Sequence, residues 1–242
     1  MAVIHRTTLT PSKLELLSSW LPEQSWYRGR GSKPELTKAG GFRLDDPQGE
    51  VGIEFMAVTD ASGDQPVTYH VPLSYRGQPL DVADHALIGT AEHGVLGRRW
   101  IYDGTQDPVL VTQLFALITG ESEPQAQSTS NAPDTSVTSH FSETGHTAAI
   151  SLTAVTNGPE YTDLLVQTDD APGSGTRPGG QLIVRVIRIL EPGRDVSSAH
   201  GAKPLGHVTA NWLQPDGTRA QDFFSVVHDA ATARGTRLPP SP

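Results

Sequence analysis

Apolar positions near the start of the chain fall at helical spacing. Leu14, Leu17 and Leu21 form the stripe, and Leu16 and Trp20 widen it. This predicts a helix capped by Thr10, with Pro11 in its first turn, ending close to Trp20 because Pro22 follows. Trp26 and Tyr27 then fold back to close one end of a core. "RGRGSKPELTKAGG" (28–41) reads as a basic, Gly-rich loop. Beyond it the period changes to two. "VGIEFMAVT" (51–59) sets Ile53, Phe55 and Ala57 on one side, and "VTYHVPLSY" (67–75) sets Val67, Tyr69, Val71, Leu73 and Tyr75 on one face. "DASGDQP" between them predicts an antiparallel hairpin, and Pro72 predicts an edge strand or a bulge. A strand at 97–104 precedes a second helix, capped by Asp107 and opened by Pro108, with Val111, Leu114, Phe115 and Ile118 as its stripe.

The pattern then lapses. "GESEPQAQSTSNAPDTSVTS" (120–139) carries few large apolar residues and reads as a linker. Strands are expected afterwards at 147–155, 162–168, 181–190, 205–213 and 220–228, with frayed residues at the end. The expectation is an α+β fold: an antiparallel-sheet unit with flanking helices at 1–119, a Ser/Thr/Pro-rich linker at 120–146, a mostly β unit at 147–232 and a disordered tail at 233–242.

Composition narrows the function. The 242 residues carry a net charge of −9, which argues against non-specific nucleic-acid binding and against an anionic membrane face. Absent cysteine removes disulfides and thiolate metal sites. The N-terminus lacks a secretory apolar core and no apolar run is long enough to span a bilayer, so a cytoplasmic protein is expected. The paired acids Asp45–Asp46 and Asp169–Asp170 read as solvated turn residues. His85 and His93 are eight residues apart, no H-x-x-x-H or H-E-x-x-H spacing occurs, and no metal site is expected. "GSGTRPGG" (173–180) lies between two expected strands and precedes no helix, so it reads as a hairpin and not as a phosphate cradle.

One stretch carries a resemblance. Trp20, Leu21, Pro22, Gln24, Trp26 and Tyr27 in "WLPEQSWY" resemble the W-L-P-x-Q-x-W-Y opening of the N-terminal cap domain of bacterial maltokinases. "YHVPL", with Tyr69 and Pro72, is similar to a strand of that cap, and "DGTQDPVLVTQLFALI" to its closing helix. After the linker, "QLIVRVIRILEPG" (181–193) resembles the kinase N-lobe strand that bears the nucleotide-binding lysine. "PLGHVTANWLQPDGTRAQDFFSVV" (204–227) resembles the next two strands of that lobe. The resemblance implies a cap followed by a kinase-like N-lobe. Arg185 would stand at the lysine position, with Glu160 and Thr162 beside the nucleotide loop as vestigial contacts.

The sequence departs from a working kinase. Arginine replaces the lysine, and its planar fork is not an ammonium. "QDFFSVV" is not a metal-binding D-F-G, and the 14 residues after His228 hold no catalytic aspartate or metal acids. The expectation is therefore a non-catalytic, maltokinase-related protein without a cofactor, with a binding or regulatory role in trehalose, maltose or α-glucan metabolism. Its partner would be a protein, such as an enzyme of that metabolism, or a small sugar. Two alternatives remain. One is a sugar kinase using ATP and Mg²⁺ that is completed by a C-lobe from another chain. The other is a carbohydrate-binding module with Trp20, Trp26 and Tyr27 as sugar platforms.

Overall fold

The computed structural model describes residues 8–29, 33–127, 132–142, 149–169, 180–193 and 204–233. In order these form β1 (Leu9–Thr10), α1 (Lys13–Trp20), β2 (Leu36–Leu44), β3 (Gly52–Asp60), β4 (Val67–Arg76), β5 (Leu87–His93), β6 (Gly97–Asp103) and α2 (Pro108–Thr119). There follow β7 (Gln125–Ala126), β8 (Thr138–Phe141), β9 (Ile150–Asn157), β10 (Tyr161–Thr168), β11 (Gln181–Ile187), β12 (Ile189–Leu190), β13 (Gly206–Leu213), β14 (Arg219–Asp229) and the single turn α3 (Ala230–Ala233).

The strands make one sheet in the order β1-β5-β6-β4-β3-β2-β13-β14-β11-β10-β9, and every pairing between named strands is antiparallel. Alternation along β3 sends its side chains into two different cores. Ile53, Phe55 and Ala57 join the core that α2 covers, while Met56 and Val58 join the one closed by Leu17, Trp20, Leu21 and Trp26. β3 is thus buried on both faces, which is why its run is almost wholly apolar.

Helix α2 begins as expected: the Asp107 carboxylate accepts from the Val109 N–H at 3.0 Å, and the same carboxylate receives a two-point ion pair from Arg76. Gly120 ends the helix in the left-handed conformation. The first helix starts later than the sequence suggests. Thr10 pairs as a strand, and Ser12 is the cap, in a box with Glu15. Its end at Trp20 agrees with the Pro22 signal.

Three further expectations are corrected. Residues 36–41, read as loop, belong to β2. The glycines mark a bulge between Lys38 and Gly40 and a close approach, since a Cβ on Gly41 would sit 1.9 Å from the Phe55 carbonyl oxygen. Pro72 is not on an edge strand, because β4 lies between β3 and β6. It is tolerated because β4 changes neighbours there: β12 pairs with Thr68 and Tyr69, whereas β6 pairs from Leu73 onwards. Asp46 is not a solvated turn residue. It is buried, and its carboxylate accepts from the backbone N–H groups of Gln48, Glu50 and Val51.

Where a linker was expected, β7 pairs with β2 and β8 pairs with β13, while Val137 is buried in the α2 core. That core also takes Leu164, Val166, Val184, Val208, Trp212 and Phe224 from the later strands. The sheet runs directly from β2 to β13, so both halves share one sheet and one α2-covered core. The expected hairpin at 173–179, Asp170 and the tail beyond residue 233 lie outside the described residues. Among the described residues, no helix is long and apolar enough to cross a membrane.

Candidate functional site at the joint of the two halves

The opening motif builds one wall of this joint. Trp20 and Trp26 meet edge to face at 5.7 Å between ring centroids, and Trp26 lies 5.9 Å from Tyr69. Leu21 and Trp26 are buried, and Trp20 is 8% exposed. Pro22 is exposed at the helix end, and the Gln24 side chain donates to the Trp20 carbonyl. Half-buried Tyr27 donates to Asp60 at 2.8 Å, and Tyr69 accepts the Arg28 N–H at 3.0 Å. Burial first, and then the Asp60 contact, push the Tyr27 phenol up to about 12. Pro72 is buried within β4. The two tryptophans therefore present no open ring face to a sugar.

The free face of Trp26 is covered from the other half of the chain. Arg188, in the one-residue break between β11 and β12, places its guanidinium carbon 4.8 Å from the Trp26 ring centroid. Arg188 is wholly buried. It donates to Asp103 at 2.5 Å, to Thr105 at 3.0 Å and to Thr162 at 2.8 Å. The Asp103 carboxylate also accepts from the Thr105 N–H and hydroxyl. A buried guanidinium needs an opposite charge and hydrogen-bond acceptors to offset its lost hydration, and this socket supplies both. Neighbouring backbone continues the seam: the His70 N–H donates to the Arg188 carbonyl, and the Arg188 N–H donates to the Glu160 carbonyl.

His70 is buried in the same seam, with its ring 4.4 Å from Phe224 and 5.9 Å from Phe55 between centroids. Nδ1 bonds to the Ile187 carbonyl at 2.8 Å, which makes this nitrogen the protonated one. Burial, seconded by the Arg188 charge, lowers its pKa to about 3, so the ring is neutral.

The residues singled out by resemblance occupy the far end of the joint. Arg185 on β11 stands directly opposite Asp163 on β10. Its Nε and Nη2 donate to the two carboxylate oxygens at 2.6 and 2.7 Å, and its guanidinium lies 3.6 Å over the Tyr161 ring. Glu160 forms an ion pair with Arg28 of the first half. Thr162 is buried; it donates to Asn157 and accepts from Arg188. Glu160 and Thr162 therefore join the seam, whereas Arg185 faces its own hairpin.

Arg188 is the residue that sequence reasoning passed over. The signal was present: "VIRIL" sets an arginine in an apolar run with no alternation, which marks a segment buried on both faces. Its partners, at 103, 105 and 162, are beyond the reach of spacing arguments.

A separate acidic node ties α1 to the sheet. Buried Glu54 receives Lys13 at 2.5 Å, the Tyr75 hydroxyl at 2.6 Å and Gln127 at 3.1 Å. Burial opposes its charge, but the Lys13 ammonium and the Tyr75 hydroxyl outweigh this and hold its pKa below the ordinary carboxylate value.

No curated protein matches this chain. Residues 20–107, which hold Trp20, Trp26, Tyr69, Pro72, Asp103 and Thr105, match the family model of the maltokinase N-terminal cap domain.

Proposed function

We propose that this chain is a non-catalytic relative of maltokinase whose cap is seated on a kinase-N-lobe-like sheet, with a binding or regulatory role in maltose, trehalose or α-glucan metabolism. The matched cap stretch supports the link to that metabolism. The observation that carries the non-catalytic part is the state of Arg185. The cation at the lysine position holds both oxygens of Asp163 and stacks on Tyr161. A phosphate would have to displace a two-point, partly buried ion pair before gaining that charge. Thr162 is buried under Arg188, and Glu160 is turned to Arg28, so neither is poised for a nucleotide. The partner in this reading is a protein, such as an enzyme of α-glucan or trehalose metabolism.

Calorimetry with ATP and Mg²⁺ tests it. No site tighter than about 1 mM is expected, which corresponds to roughly −4 kcal/mol. Phosphorylation of maltose or glucosamine by the purified chain should be absent. Micromolar ATP binding that disappears in Arg185→Ala, with the fold retained, would overturn the reading in favour of a kinase completed by another chain.

A further inference from the structure

We propose that His140 and His207 form a binding site for a divalent first-row transition-metal ion. His140 on β8 and His207 on β13 are direct cross-strand partners in an antiparallel pair. Such positions bring side chains within about 5 Å of each other at Cβ. Their ring centroids are 5.6 Å apart and the planes meet at 43°. Two imidazoles binding one ion, each through a nitrogen at about 2.0–2.1 Å, hold their centroids at roughly this separation. Among the described residues neither ring has a hydrogen-bond partner, so their nitrogens are available as ligands.

The surroundings hold the pair in place. One rung along, the hydroxyls of Thr138 and Thr209 bond to each other at 2.7 Å, which keeps β8 in register with β13. Phe223 packs edge-on against His207 at 5.2 Å, limiting the ring's rotation.

Imidazole nitrogens select Zn²⁺, Cu²⁺ and Ni²⁺ over the oxygen-preferring Mg²⁺ and Ca²⁺. Among the described residues no group of three or more His, Asp or Glu side chains could hold a metal ion. The site is therefore a two-point chelate with water completing the coordination shell, open to exchange. Its structural effect is specific. Among the described residues β8 pairs with β13 alone, over four residues, so an ion bridging the two histidines staples this short strand to the sheet.

Titrating the untagged full chain with Ni²⁺, by calorimetry and by thermal unfolding, tests the proposal. The expected result is one ion per chain and a rise in Tm that EDTA reverses. His140→Ala and His207→Ala should each weaken binding at least tenfold and abolish the Tm rise. The exposed His85→Ala should leave both unchanged. His207→Gln, which keeps bulk and polarity, should behave like His207→Ala. The proposal is overturned if Ni²⁺ binds no tighter than about 1 mM. It also fails if only one of the two alanine substitutions weakens binding, or if the Tm rise persists in either; the pair would then be a packing contact only.

Discussion

Trp26 and Arg188 depend on one another, and their substitutions should show it. Trp26→Ala removes a buried large aromatic and should cost about 3–5 kcal/mol. Arg188→Ala strands the Asp103 carboxylate in the socket and should cost a similar amount, about 3–5 kcal/mol. Since the guanidinium lies against the ring, the double substitution should cost less than the sum. Urea unfolding of the parent and the three variants measures this; strict additivity would mean that the two side chains do not share a site. His70 gives a prediction in pH. Its folded pKa of about 3 lies below its ordinary 6.5, so between these values the unfolded chain binds the extra proton. Stability from this group is complete above about pH 6.5 and falls by up to about 1.4 kcal/mol per pH unit as pH drops towards 3. His70→Gln can still donate to the Ile187 carbonyl but cannot titrate. Its stability should therefore vary less than the parent's between pH 4.5 and 6.5, and an equal slope would remove His70 as the cause.

At the scale of elements, α2 and β2 are held by different means. Asp107 both caps α2 and receives Arg76, and it is wholly buried. Asp107→Ala should cost at least about 3 kcal/mol, since it combines loss of a cap with an unpaired, partly buried arginine. Asp107→Asn keeps the cap but not the ion pair and should cost less; equal losses would mean that the cap contributes nothing. Strand β2 depends on Gly41, whose φ of +118° and approach to the Phe55 carbonyl exclude a side chain. Gly41→Ala should lower the yield of folded protein sharply. Gly49→Ala, at φ +72° with open space around it, should cost only about 1 kcal/mol. The helices were legible because apolar stripes are local signals, although of the two expected caps only Asp107 is the one used. β2 was not, because a bulge and a close approach use the same glycines as a loop.

For the whole molecule, the continuous sheet and shared core argue for one cooperative unit. Phe224 from β14 lies 5.9 Å from Phe42 and 4.4 Å from His70, both in the first half. Arg188 adds a buried charge pair across the same seam. Unfolding in urea followed by tryptophan fluorescence and by far-UV circular dichroism should give coincident transitions. Two resolved transitions would mean that the halves fold independently, as the expected linker implied. The pairing of β7 and β8 makes the described parts of residues 120–142 poor protease targets.

The sequence by itself determined the local and periodic features: α2 and its cap, the β3–β4 hairpin, the later strands and the cap-like motif from Trp20 to Tyr27. These follow from spacing and capping chemistry, which act over a few residues. It also showed an arginine at position 185 on a largely apolar strand. Only the tertiary structure decided which acid Arg185 meets, that Arg188 plugs a socket built from Trp26, Asp103, Thr105 and Thr162, and that His140 faces His207. Each of these depends on strand register and sheet order, and antiparallel pairing can join positions at any separation along the chain. The same reason explains the strands between residues 120 and 142: a polar, Ser-rich stretch reads as a linker, yet short strands within it need only backbone hydrogen bonds and one buried valine to join the sheet.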